Sequence, residues 1–227
     1  HGAAPVLAKP RRREVSRSAG NIPSGNPLDL PQVQRPSGTW NHADREWIAA
    51  KARDVPGDFA EIGVFRGAAF RKVAVLAGQQ GKRAHAFDSF IGMNAPTAVD
   101  GPTYPKGMFD IGGPDAFVQL MSAAGVERVL YDVWPGYVPE CFTPVPESLR
   151  FSWAILDLDH YQPTVDGLRW LPARINDGGI LALDDYVAQN KGKLATRAID
   201  EFLSSNREFE KIALFNQQVI LRKKRRS

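Results

Sequence analysis

The sequence predicts an α/β fold built on a mostly parallel sheet, and three observations predict it. Two apolar runs, Phe151-Ser-Trp-Ala-Ile-Leu and Gly178-Gly-Ile-Leu-Ala-Leu, show little polar alternation, the mark of strands buried on both faces. Each run ends in paired carboxylates, Asp157 with Asp159 and Asp184 with Asp185, and open α/β sheets place their ligands at strand ends. Strand-like and helix-like segments also alternate along the chain, as parallel crossovers require.

Residues 1–40 are rich in Pro, Gly, Ser and Arg without an apolar period. They read as a flexible basic arm. Asn41 or Asp44 is placed to cap a helix carrying Trp47, Ile48, Ala50 and Ala52, and Val55-Pro56-Gly57 ends it. A strand from Asp58, a glycine turn and a helix over 70–77 follow. A strand over 84–88 ends in Asp88. Gly and Pro crowd residues 91–114, predicting a long loop over the sheet. A helix is expected over 115–124 and strands over 126–133 and 151–159. An amphipathic helix is expected over 164–175, with Val165, Leu168 and Leu171 on one face. A strand over 180–184, a helix over 196–203 and a hairpin of 209–214 with 218–221 complete the body. The folded body is thus 41–221, with a basic tail at 222–227.

The formal charge of +4 is unevenly spread: residues 1–20 carry a net +4 and Arg222–Arg226 a further +5, leaving −5 on the body. A nucleic-acid groove needs positive charge on the body, so nucleic acid is not expected as a partner. No apolar run is long enough to cross a bilayer. One cysteine, Cys141, excludes an internal disulfide, which suggests the cytoplasm.

Glu61-x-Gly63-x-x-x-Gly67 follows a strand and opens a helix. Its glycines let backbone pass close to a ligand, and Glu61 would suit an amine-bearing one. It is neither Gly-x-Gly-x-x-Gly nor a Lys-Ser/Thr phosphate loop. Asp88 lies 25 residues after Gly63, near the spacing of an acid on ribose hydroxyls. Four clustered carboxylates repel unless a cation sits among them, which points to a hard divalent ion. Trp134 and Tyr137 are placed where an adenine ring would stack.

Val55-Pro-Gly-Asp-Phe-Ala-Glu61-Ile-Gly-Val-Phe-Arg-Gly67, Phe87-Asp88-Ser89-Phe90, Asp157-Leu-Asp159-His-Tyr161-Gln-Pro-Thr164 and Gly178-Gly179 through Asp184-Asp185-Tyr186 resemble S-adenosylmethionine-dependent methyltransferases. More narrowly they resemble the macrocin O-methyltransferase family of sugar O-methyltransferases, over roughly residues 39–221. The resemblance implies a Rossmann-like class I methyltransferase fold with a seven-stranded sheet and a C-terminal antiparallel strand. It also implies bound Mg²⁺, a homo-oligomer, and a donor site that includes Glu61, Gly63, Gly67, Asp88 and Ser89. Leu158, His160 and Pro163 depart from the family's usual glycine, leucine and serine.

A sugar hydroxyl is a poor nucleophile, and a metal bound to it lowers its pKa and fixes its position. Asp157, Asp184 and Asp185 are the expected metal ligands. Neighbours on a regular strand point to opposite faces, so Asp184 and Asp185 can act together only where the strand has turned. Asp159 is left as general base, with His160 the other candidate. The expected activity is metal-dependent methylation of a sugar or glycosylated natural product. The alternatives are a catechol-type O-methyltransferase and a non-catalytic donor-binding module.

Overall fold

The computed structural model describes residues 32–33, 42–186, 194–215 and 217–226. Eight strands form one sheet in the order β1-β7-β8-β6-β5-β2-β3-β4. They are β1 (Gln32–Val33), β2 (Asp58–Ile62), β3 (Ala84–Asp88), β4 (Tyr131–Pro135), β5 (Phe151–Leu156), β6 (Ile175–Leu183), β7 (Phe209–Phe215) and β8 (Gln218–Lys223). Only β8 runs against the rest, pairing antiparallel with both β6 and β7. This is the expected seven-stranded sheet with its antiparallel strand. One addition lies within the predicted arm, where Gln32–Val33 pair parallel with β7.

Helices α1 (His42–Lys51), α2 (Phe70–Gly78), α3 (Pro114–Ala123), α4 (Tyr161–Trp170) and α5 (Leu194–Ser205) flank the sheet. The sheet is covered on both faces because its strands are apolar on both. On β5, Trp153 and Ile155 join a cluster with Ile48, Phe70 and Val73 of α1 and α2. Phe151, Ala154 and Leu156 join the opposite cluster with Leu168 and Ile199 of α4 and α5. Burial of one such large side chain contributes roughly 2–3 kcal/mol.

Several boundaries differ from the sequence reading. Arg128–Leu130 form a 3₁₀ turn and β4 starts only at Tyr131, because Gly125 at φ 74° turns the chain after α3. The strand expected over 151–159 stops at Leu156. Helix α4 begins at Tyr161, three residues early, because the distant Asp100 accepts a hydrogen bond from its first N–H (2.7 Å). It ends at Trp170, and Ile175 already belongs to β6. Arg222 and Lys223, counted in the basic tail, are the last residues of β8, with the Lys223 ammonium donating to the Pro172 and Ile175 carbonyls. The candidate cap Asn41 lies outside the described residues. Among the described residues no helix is long and apolar enough to cross a membrane.

On the edge strand β4, Trp134 donates its indole N–H to His85 Nδ1 (3.1 Å). His85 Nε2–H therefore donates to Asp58 (3.1 Å). Trp134 stacks on His85 and Phe87. Of the two rings suggested for adenine, Trp134 is thus held in packing.

Candidate active site

The C-terminal ends of β2, β3, β5 and β6 open into a cavity of about 320 Å³. Gly63, Asp88 and Ser89 line one side, with Gly136, Tyr137 and Val138 beside them; Asp157, Asp159, Asp184 and Asp185 line the other. Of the residues named from sequence for the donor turn, the adenine and the acids, Glu61, Gly67 and Trp134 stand outside this lining.

The glycine turn is held by Asp88. Its Oδ2 accepts from the N–H groups of Val64 and Phe65 (both 2.9 Å), and its Oδ1 accepts from Phe90 N–H (2.8 Å). A carboxylate has about four lone-pair sites, so acceptor capacity is left for ligand hydroxyls. Ser89 turns the next residues, its hydroxyl donating to the Gly92 carbonyl (2.6 Å) and accepting from Ile91 N–H (3.2 Å). Gly63 has φ 88° and lies against β5. Gly67 faces Met121 and Phe117 of α3, so its missing side chain serves helix packing rather than ligand approach.

The acids converge because the chain turns left-handed at two of them. Asp159 and Asp185 both have φ 57°, a conformation Asp tolerates better than most residues. Strand β6 stops at Leu183, so the turn that two neighbouring ligands need is present. One carboxylate oxygen from each of Asp157, Asp159 and Asp185 lies within 4.8 Å of the others. Asp184 stands beside this triad, its Oδ1 accepting from the Asp185 N–H (2.9 Å). The structure thus groups Asp159 with Asp157 and Asp185, where the sequence grouped Asp184.

Burial, and then the charge of Asp184, drives the Asp157 carboxyl well above the usual range. Asp159 is pushed up to about 7 by burial and by Asp185. Three converging oxygen donors, with the anionic forms of Asp157 and Asp159 penalised in the absence of a counter-charge, suit a hard divalent cation. Tyr104, from the loop between β3 and α3, hydrogen-bonds Asp159; burial and the acid's charge raise its phenol to about 12.

His160, the other candidate base, is buried. Its Nδ1 meets Asn94 Oδ1 (3.0 Å) and its Nε2 meets the Tyr104 carbonyl (3.1 Å). It ties the 91–114 loop to α4 and does not line the cavity.

Two residues beneath the acids form a layer that the sequence reading did not connect. Glu61 is buried at the end of β2, and burial pushes its carboxyl up to about 8 against the pull of Arg45. Arg45 of α1, also buried, feels the charges of Glu61, Asp184, Asp44 and Asp157. Arg45 carries no mark in the sequence, because its burial is set by how α1 docks on the sheet.

No protein-family model matches the chain. A curated relative, the 8-demethyl-8-(2,3-dimethoxy-alpha-L-rhamnosyl)-tetracenomycin-C 4'-O-methyltransferase of Streptomyces olivaceus, is 32% identical over 144 residues. The match spans 60% of this chain and 55% of that relative, so the chain covers about half the length of the relative it matches. Among solved structures, the calicheamicin methyltransferase CalS11 superposes with a TM-score of 0.67 at 23% identity, over 80% of this chain and 77% of that one. The O-methyltransferase NovP gives 0.62 at 21%, over 80% and 79%. The fold is the Rossmann-like methyltransferase fold, and the chain resembles the S-adenosylmethionine-dependent sugar O-methyltransferases of the macrocin type.

Proposed function

We propose that this chain transfers a methyl group from S-adenosylmethionine to a hydroxyl of a sugar, with Mg²⁺ or a similar divalent cation held among the acids. The observation that carries the reading is one cavity lined on one side by the Gly63 turn and Asp88 and on the other by the carboxylates of Asp157, Asp159 and Asp185.

Asp88 would accept from the donor's ribose hydroxyls while holding the turn that carries Gly63. Tyr137 and Val138 would flank its adenine. Glu61, buried below, sets the charge at the end of β2. Asp157 and Asp185 would hold the cation, Asp159 is left beside them as the base, and Asp184 keeps the Asp185 backbone turned toward the ion. A bound divalent cation would lower the pKa of the acceptor hydroxyl and fix its oxygen. Asp159, hydrogen-bonded by Tyr104, takes the hydroxyl proton as the oxygen attacks the methyl carbon in line with the departing sulfur. Atoms and charge balance: the sulfonium becomes a neutral thioether, the hydroxyl becomes a methyl ether, and the proton leaves by Asp159.

The test is methyl transfer from labelled donor to rhamnosides and to catechols, with Mg²⁺ and with chelator. Methyl ether on the sugar, lost with chelator and restored by Mg²⁺, is expected. Turnover indifferent to chelator removes the metal from the reading. Methylation of catechol alone moves the activity to a phenolic diol.

A further inference from the structure

Beside the base stands a polar residue that touches no reacting group. His160 follows Asp159 directly, yet the two side chains part, because Asp159 turns left-handed at φ 57°. Asp159 lines the cavity, whereas His160 is only 1% exposed. A buried imidazole needs a partner for each ring nitrogen, and His160 has both.

Both partners belong to the 91–114 loop. Nε2 meets the Tyr104 carbonyl at 3.1 Å; a carbonyl only accepts, so Nε2 carries the proton and donates. Nδ1 meets the side-chain amide of Asn94 at 3.0 Å. The imidazole also packs edge-on against the Tyr104 ring, with centroids 6.1 Å apart. His160 is itself held at the start of α4, where its carbonyl accepts from the Thr164 hydroxyl (2.7 Å). The next residue, Tyr161, donates its N–H to Asp100 of the same loop (2.7 Å), and Asp100 also accepts from Thr97 N–H (2.8 Å). The loop is therefore anchored on the two residues that follow the base.

The two residues that His160 grips are also two that reach the chemistry. Tyr104 hydrogen-bonds Asp159, and Asn94 lines the cavity. An amide has a donor end and an acceptor end. His160 takes one end of Asn94, which leaves the other for the cavity. A sugar hydroxyl both donates and accepts, so it can meet whichever end is presented. A loop side chain already braced in this way loses little rotamer freedom when a ligand binds.

Packing alone does not account for the ring. An apolar side chain could fill the same space without two polar atoms to satisfy. Methyl transfer needs the base and the acceptor oxygen held to within about 0.5 Å. A loop reaches that precision only when something rigid supports it, and the first turn of α4 is such a support.

We propose that His160 is a positioning residue with two arms: Nε2 sets Tyr104 on the base Asp159, and Nδ1 sets the Asn94 amide to bind a second hydroxyl of the acceptor. The proposal rests on the sugar O-methyltransferase reading above.

The experiment measures kcat and acceptor KM separately for methyl rhamnoside, at saturating S-adenosylmethionine and Mg²⁺, in the wild type, His160→Leu, His160→Gln, His160→Asn and Asn94→Ala. Leucine lacks both arms. Glutamine can place an amide where Nε2 stood, and the shorter asparagine where Nδ1 stood. His160→Leu is expected to lower kcat about tenfold and raise KM about fivefold, the scale of one hydrogen bond in each case. His160→Gln should bring kcat back to within about twofold while KM stays high, and His160→Asn should do the reverse. Asn94→Ala should raise KM about fivefold and keep kcat.

A residue that merely holds the fold would move kcat and KM together in all three His160 variants, and that result overturns the proposal. Wild-type kinetics in His160→Leu, or an unchanged KM in Asn94→Ala, overturns it too. If no His160 variant folds, Asn94→Ala and Tyr104→Phe decide. KM raised alone in the first and kcat lowered alone in the second uphold the two arms, and any other division refutes them. If the wild type does not methylate the rhamnoside, the sugar reading fails by itself. Amide hydrogen exchange then decides the arms: faster exchange around Asn94 in His160→Gln and around Tyr104 in His160→Asn upholds them, and the same exchange in both variants refutes them.

Discussion

Gly63 and Asp157 meet backbone to backbone where β2 and β5 end side by side. A methyl group built on Gly63 would stand 1.7 Å from the Asp157 carbonyl oxygen. The donor turn and the first acid are therefore one rigid unit. Gly63→Ala is expected to cost at least about 2 kcal/mol, from the clash and the positive φ together. Gly67→Ala should cost about half as much, because its neighbours are the side-chain ends of Met121 and Phe117, which can shift. Denaturant midpoints of the two variants check the order, and a larger loss for Gly67→Ala would contradict it.

Asp157, Asp159 and Asp185 are grouped by geometry, with Asp184 beside them. Asp157→Asn and Asp185→Asn are each expected to lower kcat by on the order of 100-fold or more, with donor affinity retained. Asp184→Asn keeps an acceptor for the Asp185 N–H, so its loss should stay near tenfold. In chelator, Asp157→Asn should be no less stable than the wild type, because one of several repelling carboxylates is gone. Kinetics and thermal unfolding measured with and without Mg²⁺ distinguish these outcomes. An Asp184→Asn defect as deep as that of Asp157→Asn would restore Asp184 to the ligand set.

Glu61 is pushed from 4.5 up to about 8, first by burial, with Arg45 opposing. The sign follows directly. A carboxyl raised in the folded state favours folding while neutral, fully so below its unfolded value, and that contribution is lost as pH climbs through the folded value. Metal-free protein should therefore lose stability between about pH 5 and pH 8, by on the order of a few kcal/mol. Glu61→Gln should flatten the decline. Unfolding free energies across that range check it, and an unchanged slope in Glu61→Gln would assign the loss to other groups.

Tyr104 donates to Asp159, which favours the carboxylate form. Tyr104→Phe removes that donor, so the Asp159 carboxyl should rise further. The acidic limb of the pH–kcat/KM profile should move upward by about one pH unit, the worth of one hydrogen bond to a charged group. A profile that keeps its position while its height falls would instead make Tyr104 a lining residue.

Much of this site was legible before any coordinates, for physical reasons that differ by residue. Runs such as Phe151–Leu156 cannot alternate because both faces of the sheet are covered, so their lack of period announced the fold. The acids followed from their positions at strand ends. Which three would meet was not legible, since that depends on the left-handed turns at Asp159 and Asp185, and periodicity does not encode dihedral angles. The early start of α4 was hidden because Asp100, which receives its first N–H, lies 61 residues away. Arg45 read as one more polar residue of α1. Its burial under the acids depends on how α1 docks, a fact of tertiary structure. The 126–133 strand failed locally, where Val129 and Leu130 carry strand-like side chains through a 3₁₀ turn.

The C-terminal hairpin carries a further consequence. Strand β8 is the only neighbour of β6 on that side, and the Tyr186 N–H donates to the Gln217 carbonyl (2.7 Å) just past the acid pair. Asp184 and Asp185 therefore cannot be fixed until residues 209–223 have folded back beside them, a long-range closure that forms slowly. The acidic half of the cavity should mature after the glycine-turn half and open before it, so that amide hydrogen exchange at 184–186 follows the protection of β8 rather than that of β5.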